Sequence, residues 1–168
     1  GVQTCALPIC YPESFAAATV NGELMAIPNT TVKKQHQYIW VRQDWLDNLG
    51  LEVPTTLEEV VEVARAFVEN DPDGNGEDDT IGFTLSEDII GTFGADYVAN
   101  PIAGVFKSYA RMWYQQEDGT VVYGSTTQGT RDTLEYLANM YSEGLIDKQF
   151  AVRDQAELVV SGKCGIFF

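Results

Sequence analysis

An amphipathic helix signal, followed within one short loop by a strand signal, is the feature that most constrains the fold of this chain. Thr56 and Glu59 have the spacing of a capping box, in which two side chains satisfy the free amide groups at a helix start. Apolar residues recur behind them at helical spacing: Leu57, Val60, Val61, Ala64 and Val68. The helix is predicted to end near Glu69, and residues 80–85 are predicted to form a strand. This succession indicates a helix that packs on a sheet.

Helix and strand signals alternate along the rest of the chain. Further strands are predicted at 24–28, 37–41, 121–123 and 164–168, and further helices at 44–50, 130–143 and 154–161. On the helix at 130–143, the predicted inward positions are Leu134, Leu137, Ala138 and Tyr141. One or two helices are predicted within the aromatic-rich residues 89–115. Strands interleaved with helices predict an α/β fold.

The charge balance excludes one large class of partners. The chain has 25 acidic and 10 basic residues, a formal net charge of −15 and a sequence pI of about 4.2. Nucleic-acid binding needs a basic face, and the sequence has no basic cluster. It also has no apolar run long enough for a membrane-spanning helix. With 45% hydrophobic residues it can bury a core, so a globular acidic domain is expected.

The two ends of the sequence are expected to be cuts. Residues 1–10 resemble translated sequencing adaptor and are expected to be non-native. Setting them aside leaves Cys164, which is predicted to be a small buried hydrophobe. Phe168 lies inside an apolar, strand-like run, so the chain is expected to be a fragment of a longer protein.

Residues 71–79, here called the acidic loop, form the most specific local motif. Oxygen-bearing side chains occupy alternate positions, an arrangement that suits Ca²⁺: Asp71, Asp73, Asn75 and Asp79. Glu77 would contribute its backbone carbonyl, and Gly76 stands where such loops turn sharply. Counted from the first Asp, the pattern matches the first nine positions of an EF-hand-type loop.

The acidic loop departs from an EF-hand at its end. The twelfth position is Gly82, where an EF-hand has a bidentate Glu. A structural calcium site completed by Thr80, Asp78 or water is therefore expected rather than a tight sensor site. Between Ala66 and Phe106 there are nine acidic residues and no Lys or Arg, so no cation within that segment offsets the charge. A solvated acidic turn is the alternative.

The order of several motifs resembles a known family. They are the segments 22–28, 38–46 and 53–59, the acidic loop, and 141–147. Together they resemble the extracellular solute-binding proteins of ABC importers, in the family that includes maltose-, alginate- and other oligosaccharide-binding proteins. The closest likeness is to the large lipoprotein-type members of Gram-positive bacteria. Some members carry a structural calcium loop in the equivalent place, which supports the calcium prediction.

The resemblance implies a two-lobed fold of the periplasmic-binding-protein type, of which this chain would hold one lobe and hinge strands. Residues 11–28 would be a remnant of the first lobe. Residues 29–168 would form the hinge crossing and the second ligand-binding lobe, truncated at 168. The implied function is capture of an extracellular solute, an oligosaccharide by family analogy, and its delivery to a membrane permease. The implied location is the cell surface or the periplasm, with a lipid anchor outside these residues.

Ligands of open α/β sheets lie beyond the carboxyl ends of the strands, which points to residues 86–88. Glu87 and Asp88 could accept hydrogen bonds from sugar hydroxyls; the alternative is a helix start capped by Ser86. Aromatic rings stack on the C–H faces of sugars, and the candidates are Phe93, Tyr97, Trp113 and Tyr114. Trp113 is preferred because it precedes a hairpin-like turn, whereas Trp40 and Trp45 are predicted to pack at the base of the lobe.

Two other functions compete with solute binding. A glycosidase would use Glu87 and Asp88 as paired carboxylates, but adjacent carboxylates on one segment rarely face each other across a bond. A calcium-dependent adhesion module would need a duplicated loop, and the sequence contains one. The sequence therefore favours a binding protein without catalytic residues.

Overall fold

The computed structural model describes residues 14–27, 37–91 and 95–168, and the chain divides into two compact units, 1–36 and 37–168. In the first unit, helix α1 (Ser14–Ala18) leads into an antiparallel hairpin of β1 (Thr19–Val20) and β2 (Glu23–Leu24). The strand predicted at 24–28 is thus the shorter β2, and position 28 lies outside the described residues.

The second unit is built on a small mixed sheet. Its strands are β3 (Trp40–Val41), β4 (Ile81–Phe83) and β7 (Cys164–Phe167), with β7 in the centre. Strand β7 is antiparallel to β3 and parallel to β4, whose Phe83 is aligned with Ile166. A separate hairpin consists of β5 (Trp113–Gln115) and β6 (Val121–Tyr123). The helices are α2 (Gln43–Leu49), α3 (Leu57–Glu69), α4 (Asn100–Val105), α5 (Gln128–Ser142) and α6 (Gln155–Val160).

The α/β prediction is confirmed, and α3 begins with the predicted capping box. Thr56 Oγ1 accepts a hydrogen bond from the amide of Glu59, whose carboxylate accepts one from the amide of Thr56. The face that α3 buries is formed by Val60, Val63, Ala64 and Phe67. The predicted positions Leu57, Val61 and Val68 are only partly buried and pack around this face. The buried face is displaced from the predicted one because Phe67 packs edge-to-face on Trp45, with ring centroids 5.1 Å apart.

The predicted inward face of α5 is wrong at three of its four positions. Its buried residues are Thr130, Thr133, Leu137 and Met140, whereas Leu134, Ala138 and Tyr141 are exposed. The two threonines can lie inside because their hydroxyls donate to backbone carbonyls, those of Gly124 and Gly129, at 2.8 and 2.7 Å. Because both hydroxyls are hydrogen-bonded, this helix can bury two small polar residues in the interior.

In the aromatic-rich residues 89–115, where one or two helices are predicted, the described part contains one. This α-helix is α4, and residues 87–90 are bends. The proposed helix start at Ser86 is therefore wrong. Trp45 is fully buried as predicted, but Trp40 is 59% exposed and stacks on Phe167 at the sheet edge, so its predicted packing is only partial. In the described part of the chain, no helix has both the length and the apolar character needed to cross a bilayer.

Candidate functional site

The candidate site lies at the edge of the sheet where the two parallel strands end. Strands β4 and β7 run in the same direction, so their carboxyl ends meet there. The amide of Ser86 donates to the carbonyl of Tyr97 at 2.7 Å, and the amide of Tyr97 donates to the carbonyl of Phe168 at 3.1 Å. These bonds join the loop after β4 to the end of β7, which is where the sequence predicted residues 86–88.

An ion pair stands at this edge. Asp88 accepts a hydrogen bond from Arg111 Nη2 at 2.7 Å, and both side chains are about half exposed. The hydrogen bond that Arg111 donates to Asp88 raises the pKa of Arg111 above its ordinary value. Glu87 is exposed beside Asp88. The carboxylate and the guanidinium therefore offer oriented hydrogen-bonding groups to the solvent.

An aromatic pair continues from the ion pair. Trp113 on β5 is aligned with Tyr123 on β6, and their ring centroids are 5.3 Å apart. Trp113 is 71% exposed, so most of its ring is free to contact a ligand. Arg111 precedes Trp113 by two residues, and its amide bonds to Ser125, which follows Tyr123 by two residues. Asp88, Arg111, Tyr123 and Trp113 thus form a continuous group, here called the aromatic–ion-pair site.

The backbone that carries Arg111 is held in a strained conformation. Lys107 and Arg111 have positive φ angles of 53° and 64°, which residues other than glycine seldom adopt. The amide of Arg111 donates to Ser125 Oγ at 2.8 Å. At Gly124 an added Cβ would lie 1.8 Å from the carbonyl oxygen of Tyr109, so only glycine allows this close approach. Such strain persists only where the surroundings fix the loop, and it is common at binding sites.

The other predicted ligand residues are less exposed than Trp113 or lie outside the described residues. Tyr97 is half-buried, its ring lies 6.2 Å from that of Phe167, and burial raises the pKa of its phenol. Its backbone hydrogen bonds to Ser86 and Phe168 keep it at this edge of the sheet. Tyr114 packs against Tyr109 with ring centroids 5.0 Å apart. Phe93 lies outside the described residues.

Sequence reasoning did not single out Arg111 or Tyr123. A signal for each was present. Lys107 and Arg111 are the first cations after a long segment in which acidic residues have no basic companions, so pairing of either one with an acidic residue of that segment is expected. Tyr123 would have been placed opposite Trp113 if residues 113–115 had been assigned as the partner strand of 121–123.

The acidic loop is curled by its own side chains. The carboxylate of Asp71 accepts from the amide of Gly76 at 2.9 Å, and the other oxygen, Oδ1, is buried without a hydrogen-bond partner. The side-chain nitrogen of Asn75 donates to Asp73 at 3.1 Å and to Asp79 at 3.2 Å. The amide of Glu77 donates to Asn75 Oδ1 at 2.6 Å, so Glu77 takes part through its backbone.

A cation from a distant part of the chain contacts this loop. Lys163 Nζ lies 2.6 Å from Asp79, and this hydrogen bond lowers the pKa of that carboxyl. Thr80 is buried, and its hydroxyl donates to the carbonyl of Phe67 at 2.7 Å. Among the described residues, no group of three or more acidic, histidine or cysteine side chains is placed to hold a metal ion. A cation would therefore need Asn75 and backbone oxygens as well as the carboxylates.

Comparison with known proteins relates this geometry to a family. No family model matches the chain. It is 36% identical over 152 residues to the polygalacturonan/rhamnogalacturonan-binding protein YtcQ of Bacillus subtilis, and 39% identical over 152 residues to Lipoprotein LipO of the same organism. Each match covers 89% of this chain and 29% of the relative, so the chain spans about three tenths of these proteins.

Solved structures agree with these matches. An extracellular solute-binding protein from Bifidobacterium longum subsp. infantis superposes with a TM-score of 0.76 and 26% identity, over 98% of this chain and 36% of that one. The chain is homologous to one part of ABC-importer solute-binding proteins. A second solute-binding protein, FusA of Streptococcus pneumoniae, superposes with a TM-score of 0.62 and 27% identity, over 77% of this chain and 26% of that one. That structure is described as an EF-hand mutant in complex with fructo-nystose.

Proposed function

We propose that this chain supplies one side of the sugar site of an ABC-importer solute-binding protein. The observation that carries the proposal is the aromatic–ion-pair site, with an exposed tryptophan next to an oriented carboxylate and guanidinium. Such a protein would capture an oligosaccharide outside the cell and deliver it to a membrane permease. The relatives are binding proteins, and the proposal assigns no catalytic residue.

Each group of the site would have a distinct task. The exposed ring of Trp113 would stack on the C–H face of a pyranose or furanose ring. Asp88 has one carboxylate oxygen engaged by Arg111 and another available to accept from a sugar hydroxyl. Arg111 has further N–H groups that can donate to ring or hydroxyl oxygens. Glu87 is an additional acceptor, Tyr97 is proposed to shape the floor of the site, and Phe93 stays a candidate predicted from the sequence.

A nuclear magnetic resonance titration tests this assignment. Adding kestose, maltotriose or cellotriose to ¹⁵N-labelled protein should shift the indole resonance of Trp113 in at least one titration. Trp45 is the control, because its ring is fully buried against Phe67 in the core, and its resonance should stay in place. Equal movement of both signals, or of neither with any sugar, would contradict the proposal.

The relatives also bear on where the protein acts. LipO is named as a lipoprotein, and FusA is named as a fructooligosaccharide ABC transporter substrate-binding protein. We propose the cell surface or the periplasm as the location, with attachment to the membrane through a lipid anchor outside the described residues. The permease subunits of the importer would be the protein partners.

We also propose that the acidic loop binds a structural Ca²⁺ ion. The support is the buried, unpartnered Oδ1 of Asp71, together with the carboxylates of Asp73 and Asp79, which the side-chain nitrogen of Asn75 holds close to each other. The ligands would be Asp71, Asp73, Asn75 and Asp79 through their side chains and Glu77 through its carbonyl. Thr80 is assigned to anchoring the loop on α3, since its hydroxyl donates to that helix. The EF-hand named for FusA supports the same assignment.

Calorimetry with CaCl₂ tests the calcium proposal. Wild-type protein should give saturable heat and a raised melting temperature, because a ligand that binds only the folded state stabilises it. The double variant Asp71→Ala, Asp73→Ala should give neither. Lys163→Gln should bind Ca²⁺ more tightly than wild type, because it frees Asp79 from its competing cation. Equal heats in the wild type and the double variant would overturn the proposal.

A further inference from the structure

We propose that the Asp88–Arg111 ion pair makes this site select neutral sugars over uronic acids. This inference rests on the proposed sugar-binding function and adds the substrate class. The relative YtcQ is named for polygalacturonan and rhamnogalacturonan, whose uronate rings carry carboxylates. The expected preference of this chain is therefore a departure from that relative.

The first support is that Arg111, the guanidinium of this site, is already paired with a carboxylate. Arg111 Nη2 lies 2.7 Å from Asp88 Oδ1. A uronate approaching the guanidinium would have to displace Asp88 and then stand beside that carboxylate. Like charges so close repel each other, which costs binding free energy.

The second support is the charge of the surrounding chain. Residues 86–118 contain five acidic side chains, those of Glu87, Asp88, Asp96, Glu117 and Asp118, against two basic ones, Lys107 and Arg111. The whole chain has a formal charge of −15. An acidic oligosaccharide therefore meets a repulsive field, whereas a neutral one does not.

The third support is the hydrogen-bonding chemistry of the pair itself. A sugar hydroxyl both donates and accepts, so a neutral ring can use the free carboxylate oxygen and the unused N–H groups at once. The ion pair also fixes the directions of these groups before the ligand arrives. The exposed face of Trp113 adds an apolar surface that favours an uncharged ring.

Removing the negative partner should reverse the preference. In Asp88→Asn the guanidinium loses its counter-charge and can bind a carboxylate through two parallel N–H groups. The dissociation constant for trigalacturonate should fall by about tenfold or more. Affinity for neutral trisaccharides should fall. The double variant Asp88→Asn, Arg111→Gln should lose the gain for trigalacturonate.

The matched control is Asp44→Asn. Asp44 is an exposed carboxylate in the first turn of α2, and it is paired with Arg42, which precedes the helix. The variant therefore changes the net charge by the same amount at another ion pair. It should bind trigalacturonate as weakly as wild type. A gain in Asp44→Asn equal to that in Asp88→Asn would mean that overall charge, and not the pair, sets the preference.

The test uses titrations of the full chain with kestose, maltotriose, cellotriose and trigalacturonate, followed by the indole resonance of Trp113. Tighter binding of a neutral sugar by wild type, with the gain for trigalacturonate confined to Asp88→Asn, supports the inference. Tighter binding of trigalacturonate by wild type overturns it and leaves sugar binding intact. Absence of binding for all four sugars in wild type and in Asp88→Asn overturns the proposed function itself.

Discussion

Cys164 shows how strongly the core of this chain controls the chemistry of one residue. Its side chain is 1% exposed in the central strand β7, and its thiol donates to the carbonyl of Ile166 at 3.2 Å. Burial raises the pKa of the thiol to about 12, since a thiolate would lose its hydration there. The sequence prediction of a small buried hydrophobe is confirmed, and a role as a nucleophile is not supported.

The buried thiol should resist alkylation. In the folded chain at pH 8, iodoacetamide is expected to leave the peptide that contains Cys164 unmodified, because the reactive thiolate is not populated. In urea the same peptide should be modified fully. Peptide mapping by mass spectrometry measures the modification of this peptide in both states and distinguishes it from modification of Cys5 and Cys10. Rapid modification in the native protein would contradict the burial of this side chain.

The same pKa predicts a loss of stability in alkali. The folded pKa is raised above the ordinary value of 9.0, so the unfolded state loses its proton first as the pH rises. The free energy of unfolding should therefore fall between about pH 9 and pH 12, as expected from linkage. In Cys164→Ala this fall should be shallower, although the raised pKa values of Tyr97 and Tyr136 leave part of it in place. Urea unfolding at several pH values measures the two slopes.

The start of α3 is the element whose structure follows most directly from local sequence. Thr56 Oγ1 accepts from the amide of Glu59 at 3.2 Å, and the Glu59 carboxylate accepts from the amides of Thr55 and Thr56 at 2.6 and 3.1 Å. These hydrogen bonds lower the pKa of Glu59. Every partner lies within four residues, so the sequence contains all the information that this cap requires.

Replacing the capping hydroxyl should destabilise the unit measurably. Thr56→Ala is expected to lower the free energy of unfolding by about 1 kcal/mol, the usual effect of losing such a cap. Thr56→Ser keeps the hydroxyl and serves as the matched control, with a smaller expected change. Urea denaturation followed by circular dichroism gives both values. An equal loss in the two variants would show that the hydroxyl does not cap the helix.

The elements that sequence analysis missed depend on distant parts of the chain. Strand β5 is three residues long and is defined by its register with β6, so its own residues carry a weak signal. The inward face of α5 follows from carbonyls that accept the hydroxyls of Thr130 and Thr133. For the same reason Asp88 could be predicted as a candidate, but its partner Arg111 could not, because their contact joins residues 23 positions apart.

At the scale of the whole second unit, the core is formed where β7 packs against buried rings of α2 and α3. Gly165 lies in this strand with Phe67 and Trp45 against it. An added Cβ would stand 2.2 Å from Phe67 Cδ2 and 2.8 Å from Trp45 Cε3. Both rings are fully buried and in edge-to-face contact, so neither has room to withdraw.

Gly165→Ala should therefore destabilise the unit by about 1–3 kcal/mol, the usual cost of overpacking a core. Gly104→Ala is the matched control: an added Cβ there meets no atom within 4 Å, and the residue lies within α4. That variant is expected to be neutral or to gain up to about 1 kcal/mol from better helix propensity. Thermal unfolding of both variants measures the difference, and a stable Gly165→Ala would contradict the packing described for β7.

The strand order β3-β7-β4 has a kinetic consequence. The central strand, residues 164–167, is the last one in the described sequence, so β3 has no partner in this sheet until β7 arrives, whereas Phe83 of β4 also bridges to Ile146. Closing such long loops makes assembly slow, because distant segments must meet before their contacts form. During synthesis on the ribosome, all the residues between β3 and β7, 42–163, would emerge before β3 gains this partner. Nascent chains of this sequence are therefore expected to depend on chaperones that shield unpaired strands until β7 is released.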